Sequence, residues 1–121
     1  MPKKVLAVIE DLFFTVKINE AAKHAGLTAE FVKSEVDALD RAKAQPSVIV
    51  IDLNCVSIDP LRLIGDLKSS PDLKGISVLA FVSHVQADLK QKAQEAGCDM
   101  VLARSAFSQN MQQIFKRYAG M

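Results

Sequence analysis

Glu10, Asp11, Asp52 and Arg104 are charged residues that each follow an apolar run: Lys3–Ile9, Ser47–Ile51 and Asp99–Ala103. Carboxylates brought close together repel, and at neutral pH one takes up a proton unless a cation intervenes. Hard oxygen ligands of this kind suit Mg²⁺, which keeps several waters and works beside phosphate oxygens. A carboxylate next to such a cation can attack a phosphoryl group and form an aspartyl phosphate. The metal would offset charge on the transferring group. Arg104 would bring a second positive charge to the same place. The chemistry therefore depends on whether the chain brings these run ends together.

The run Ser47-Val48-Ile49-Val50-Ile51-Asp52 is β-branched almost throughout. It reads as a central strand covered on both faces, with Asp52 where the strand leaves the sheet. Lys3–Ile9 is a second apolar strand. From Leu12 the period becomes helical, with Phe14, Ile18, Ala21, Ala22 and Ala25 on one side and Gly26 as the stop. Ala29–Lys33 is predicted to be an edge strand. Glu35–Gln45 is predicted to be a helix with Val36, Leu39 and Ala42 inward, ended by Pro46. Asp59-Pro60 is an N-cap and first-turn proline for a helix carrying Leu61, Ile64 and Leu67, closed by Ser69-Ser70-Pro71. Ile76–Val82 is a fourth strand, followed by a loop Ser83-His84-Val85. Leu89, Ala93 and Ala96 mark a helix ended by Gly97. Asp99–Ala103 is a fifth strand. Phe107, Met111, Ile114, Phe115 and Tyr118 stripe the last helix. Five β-α units predict an α/β fold with a parallel sheet and helices on both faces. Right-handed crossovers prune the topologies, and strands one and three are the natural central neighbours. Ligands collect at the carboxyl edge of such sheets.

From Lys3 to Tyr118 the chain resembles the receiver domain of two-component response regulators, the CheY-like fold. The resemblance implies five strands in the order 2-1-3-4-5 with five helices. It places Glu10-Asp11 on the acidic pair that holds Mg²⁺, although an ungapped alignment puts Ile9-Glu10 there instead. Asp52 falls on the phospho-acceptor, and the backbone carbonyl of Asn54 on the position completing the metal site. Ala96-Gly97-Cys98-Asp99 looks like the family's entry to strand five, Arg104 stands at its lysine position, and Phe107 lies near the phenylalanine that follows. The family's hydroxyl after strand four falls on Val82 without a gap, or on Ser83 with a shift of one. Cys55-Val56 replaces Met-Pro, Asp59-Pro60 replaces Asp-Gly, Ser105 replaces proline after the lysine position, and Val101 stands at the switch aromatic. The implied function is that of a phosphorelay receiver rather than an enzyme. Its partners would be a sensor histidine kinase or phosphotransfer protein and a downstream protein target. The face of helix four, strand five and helix five is the expected output surface, and a homodimer through it stays open. The alternative is a pseudo-receiver, a phosphorylation-independent interaction module, motivated by Val82, Val101, Arg104 and Ser105.

The bounds agree with this picture. The 121 residues are half apolar with net charge +1, which predicts one domain over 1–121 and gives no electrostatic case for nucleic acid or membrane. Cys55 and Cys98 form no CxxC, so free thiols and a cytoplasmic setting are expected. With no residues past the fifth helix, no attached DNA-binding domain is expected. A flavin-binding enzyme of similar architecture is disfavoured. Its phosphate loop needs glycine and hydroxyl residues, whereas Asp11-Leu12-Phe13-Phe14 is acidic and bulky. Simpler roles stand beside the chemical ones: Asp11 as an N-cap, Asp52 as a turn cap, Arg104 as a surface charge, Ser83 as a loop serine, His84 as a solvent-facing or packing residue.

Overall fold

Every apolar run with strand-like patterning pairs with a neighbour, and every pairing is parallel. The computed structural model describes residues 3–83 and 87–120. His84 and Val85, read above as loop, lie outside the described residues. The elements are β1 (Lys3–Val8), α1 (Leu12–His24), β2 (Leu27–Val32), α2 (Glu35–Ala42), β3 (Val48–Asp52), α3 (Pro60–Ser69), β4 (Ser77–Val82), α4 (Ala87–Glu95), β5 (Met100–Ala103) and α5 (Arg104–Ala119). The sheet order is β2-β1-β3-β4-β5, as the resemblance implied. The chain moves one way from β1 to β2 and the other way from β3 onward. The crevice of such a sheet opens at this reversal, between the carboxyl ends of β1 and β3.

Alternation along the strands divides the core in two. Val5, Ala7, Val48, Val50, Leu79 and Phe81 face α1 and α5. Leu6, Val8, Ile49, Ile51, Val78, Ala80 and Val82 face α2, α3 and α4. Successive side chains of a strand point to opposite faces, so a strand buried on both sides must be apolar at every position. That is why all five residues of β3 are buried, its terminal carboxylate included.

Helix ends follow the expected chemistry where a side chain can cap. Asp11, Ser34 and Asp59 accept the N–H of Phe14, Asp37 and Arg62 respectively. Gly26 and Gly97 turn the chain after α1 and α4 with φ of 83° and 108°, a region that disfavours any Cβ. Three expectations need correction. Val36 is 76 % exposed rather than inward, because Ala38 and Ala42 are the buried residues of α2. α2 ends at Ala42, ahead of Pro46, with Gln45 in the left-handed region at φ 59°. β2 starts two residues early, at Leu27, which pairs with Lys3. Leu63, which the sequence reading passed over, is fully buried beside Ile64 and Leu67 on α3.

Candidate functional site: the carboxyl edge of β1 and β3

Asp52 is the last residue of β3 and pairs in register with Phe81 of β4. It is 8 % exposed, the single charged or polar residue counted as buried among those described. Its Oδ1 accepts the backbone N–H of Asn54 at 2.8 Å. Burial pushes its pKa up. The Asn54 N–H and the Arg104 charge oppose that rise, while Asp11 and Glu10 add to it. Asn54 also ties the loop to the end of β4, its Oδ1 accepting the N–H of Ser83 at 2.7 Å. Ser83 is exposed just past β4, and Val82 is buried inside it.

Asp11 precedes α1, and both of its carboxylate oxygens are engaged. Oδ1 accepts the N–H of Phe14 at 3.2 Å. Oδ2 accepts a hydrogen bond from the Arg104 guanidinium, an ion pair between two side chains that are 33 % and 34 % exposed. The Arg104 guanidinium beside it, helped by the Phe14 N–H, lowers the Asp11 pKa. Arg104 opens α5 directly after β5, and its guanidinium carbon lies 4.6 Å from the centroid of the Phe14 ring. Such a stack adds a cation–π attraction. Phe14 in turn packs on Phe81 and Phe107, with centroids 4.8 Å and 5.8 Å away. The arginine therefore rests on the aromatic core between the sheet and the α1–α5 layer.

Glu10 turns to the loop after β3. Its Oε1 accepts the Cys55 thiol at 2.9 Å, the Val56 N–H at 3.1 Å and the Ser57 N–H at 3.0 Å. These donors, with the thiol first, hold its pKa down at about 2. The Ser57 hydroxyl donates to the Lys33 carbonyl at 3.2 Å, which joins the same loop to the end of β2. Cys55 and Cys98 are both free thiols, and burial raises the pKa of each. Neither is activated as a nucleophile.

Glu10, Asp11, Asp52 and Arg104, expected at one edge of the sheet, all lie there. The structure does not gather the three acids around one cation. Among the described residues no group of three His, Cys, Asp or Glu side chains could hold a metal ion. The implied Mg²⁺ does not fit this arrangement. Asp11 is spent on Arg104 and a helix N–H, and one oxygen of Glu10 on three loop donors. The residues passed over are Phe14, which carries the guanidinium, and Cys55, Val56 and Ser57, which occupy Glu10. Nothing in local sequence marks the loop contacts. The Phe14 contact had a weak signal in an aromatic three residues past an acidic cap.

No protein-family model matches the chain. It is 22 % identical to the polar-differentiation response regulator DivK of Brucella anthropi, over 99 % of this chain and 98 % of that protein. Chemotaxis response regulator CheY4 of Vibrio cholerae superposes with a TM-score of 0.83 at 20 % identity, covering 98 % of this chain and 99 % of that one. The Mn²⁺-bound form of response regulator Rcp1 superposes with a TM-score of 0.74 at 23 % identity, covering 98 % and 91 %. The fold is that of a CheY-like receiver. No helix among the described residues is long and apolar enough to cross a membrane.

Proposed function

We propose that this chain, with its CheY-like receiver fold, serves as a phosphorelay receiver in which Asp52 accepts a phosphoryl group. The observation that carries the proposal is a desolvated carboxylate at the carboxyl tip of the central strand, at the point where the sheet reverses direction. Removing water from a carboxylate makes it a better nucleophile, provided it is ionised when the donor arrives. In the step itself a carboxylate oxygen bonds to phosphorus, the phosphorus–nitrogen bond of a phosphohistidine breaks with its electron pair going to nitrogen, and the histidine leaves as neutral imidazole, its other ring nitrogen already carrying the proton. The donor would be a sensor histidine kinase or a phosphotransfer protein. The signal would leave by protein contact, with the face of α4, β5 and α5 as output surface. Ser83 and Arg104 stand at the rim where the accepted group would lie. Incubation with acetyl phosphate and Mg²⁺, followed by intact mass measurement, tests this. Gain of one phosphoryl mass that Asp52→Asn abolishes is expected. No gain, with the variant identical to wild type, overturns it.

One observation favours a second reading, a phosphorylation-independent interaction module. Asp11 forms an ion pair with Arg104, a cation supplied by the chain itself. On that reading, Mg²⁺ with beryllofluoride leaves the amide NMR shifts around Asp52 unchanged. Saturable shifts there would discard it.

A further inference from the structure

We propose that Arg104 is the built-in counter-cation of Asp11 and keeps divalent metal ions off this edge while the pair is closed. The inference concerns the edge on which the phosphoryl reading rests, but it does not need phosphoryl transfer to occur.

Three features hold the guanidinium in place. Asp11 Oδ2 accepts its hydrogen bond. The Phe14 ring lies beneath it, 4.6 Å away at the centroid. The first turn of α5 fixes its stem, since Arg104 is the first residue of that helix. The last feature is unfavourable by itself, because a positive charge at a helix N-terminus opposes the helix dipole. The N-cap, Ala103, offers no side-chain acceptor to soften this. An arginine there needs a carboxylate from elsewhere in the chain, and Asp11 supplies it from the start of the neighbouring helix α1.

A divalent ion would have to take Asp11 from that arrangement. Mg²⁺ and Mn²⁺ need oxygen ligands in a near-octahedral shell. With Asp11 Oδ1 on the Phe14 N–H and Oδ2 on Arg104, a metal ion at Asp11 meets the guanidinium charge at close range and competes with it for the same carboxylate. Glu10 replaces Asp11 only in part, because its Oε1 serves Cys55, Val56 and Ser57 and only Oε2 lies outside those contacts. Without Asp11 the edge offers Asp52 and one oxygen of Glu10, a sparse ligand set for a divalent ion. Arginine suits this role better than lysine. Its planar fork matches a carboxylate and its face stacks on an aromatic ring.

Mn²⁺ is the probe, followed by loss of its free electron-spin signal and by relaxation of nearby amide resonances. Wild type is expected to show only weak, non-saturating binding. Arg104→Met keeps the apolar stem on Phe14 and removes the charge, so affinity should rise at least ~10-fold, the scale of a coupling between competing ligands. The rise should vanish in Arg104→Met with Asp11→Asn, and Arg104→Lys should remain nearer to wild type. Arg117→Ala removes an equal charge from the exposed part of α5 and should change nothing. Equal affinity in wild type and Arg104→Met overturns the proposal, as does a rise that survives Asp11→Asn or is matched by Arg117→Ala. Saturable submillimolar binding to wild type overturns it even if Arg104→Met does not fold. None of these outcomes decides whether Asp52 takes a phosphoryl group, which the mass measurement reads separately.

Discussion

At the amino-terminal end of β4 and β5, Lys68 donates to the carbonyls of Lys74 and Ile76, at 3.1 Å and 2.9 Å, and to Asp99 Oδ2 at 2.7 Å. Asp99 Oδ2 also accepts the N–H of Val78 at 2.8 Å. At the opposite end, Arg104 serves one carboxylate of an edge that carries three. Both ends thus hold an acid–base pair between a helix and a strand terminus, yet only one is electrostatically closed. The lysine end uses all three ammonium donors on partners that stitch α3 to β4 and β5. The arginine end leaves Asp52 buried with a raised pKa beside two further acids. Perturbed carboxylates are common at functional edges, and structural ion-pair networks can perturb them too. The contrast separates a pair whose partners are satisfied from one that lies beside uncompensated acids, the edge to which the proposed function assigns phosphoryl transfer.

The largest expected effect lies at the closed end. Lys68 is 16 % exposed at its side chain, so Lys68→Met leaves two carbonyls and Asp99 without that donor. A loss of about 2–3 kcal/mol in urea unfolding is expected. A loss below about 0.5 kcal/mol would make this pair no different from a surface salt bridge. Gly97→Ala probes the same clamp from outside. A Cβ there would lie 2.8 Å from Lys68 Cγ at a φ of 108°, so destabilisation of about 1–3 kcal/mol is expected.

Asp52→Asn should act in the opposite direction. A carboxylate whose folded pKa is raised binds its proton more readily in the native chain. Stability therefore falls as pH rises from the ordinary 3.8 through the folded value. Replacing it with the neutral amide should add on the order of 1 kcal/mol at pH 7. The gain should vanish once the solution is acid enough to protonate Asp52 in both states. A destabilised variant at pH 7 would mean that the charge is fully compensated, and the contrast between the two ends would fail. The Asp11–Arg104 coupling, read by a double-mutant cycle, should be smaller, about 0.5–1 kcal/mol, since both side chains are partly exposed and water screens them.

Periodicity carried the fold well. The unbroken run of β3, the acidic tips of β1 and β3 and the glycine stops after α1 and α4 are local signals that tertiary structure had no reason to override. Val36 shows where such signals end. α2 is short, and its buried stripe runs through Ala38 and Ala42, which at 100° per residue leaves Val36 on the far side of the helix. At the site, the placement of Glu10, Asp11, Asp52 and Arg104 on one edge was legible because strand ends in a parallel sheet share an edge. Their partners were not legible. Which donor meets Glu10 depends on the path of the loop after β3, and which base meets Asp11 on the direction taken by the first side chain of α5. Both are set by packing between elements distant in sequence.

Glu10 offers the finest test, because it shares an edge with Asp52 and should respond to acid with the opposite sign. Its pKa is held at about 2 by the Cys55 thiol and by the Ser57 and Val56 N–H groups, against 4.5 for an ordinary glutamate. A lowered folded pKa contributes stability that is complete above 4.5 and is lost as pH falls toward 2. Glu10→Gln keeps an oxygen to accept the loop N–H groups but removes the titrating charge. Its stability should fall less steeply than that of wild type between pH 4.5 and 2, with a modest deficit at neutral pH. Asp52→Asn should show its largest gain at neutral pH and lose it on acidification. Two carboxylates at one sheet edge with opposite pH slopes would mean that the loop after β3 solvates one of them while the sheet desolvates the other. Parallel slopes would mean that the edge titrates as a single cluster, and Glu10 would then belong with Asp52 rather than with the loop.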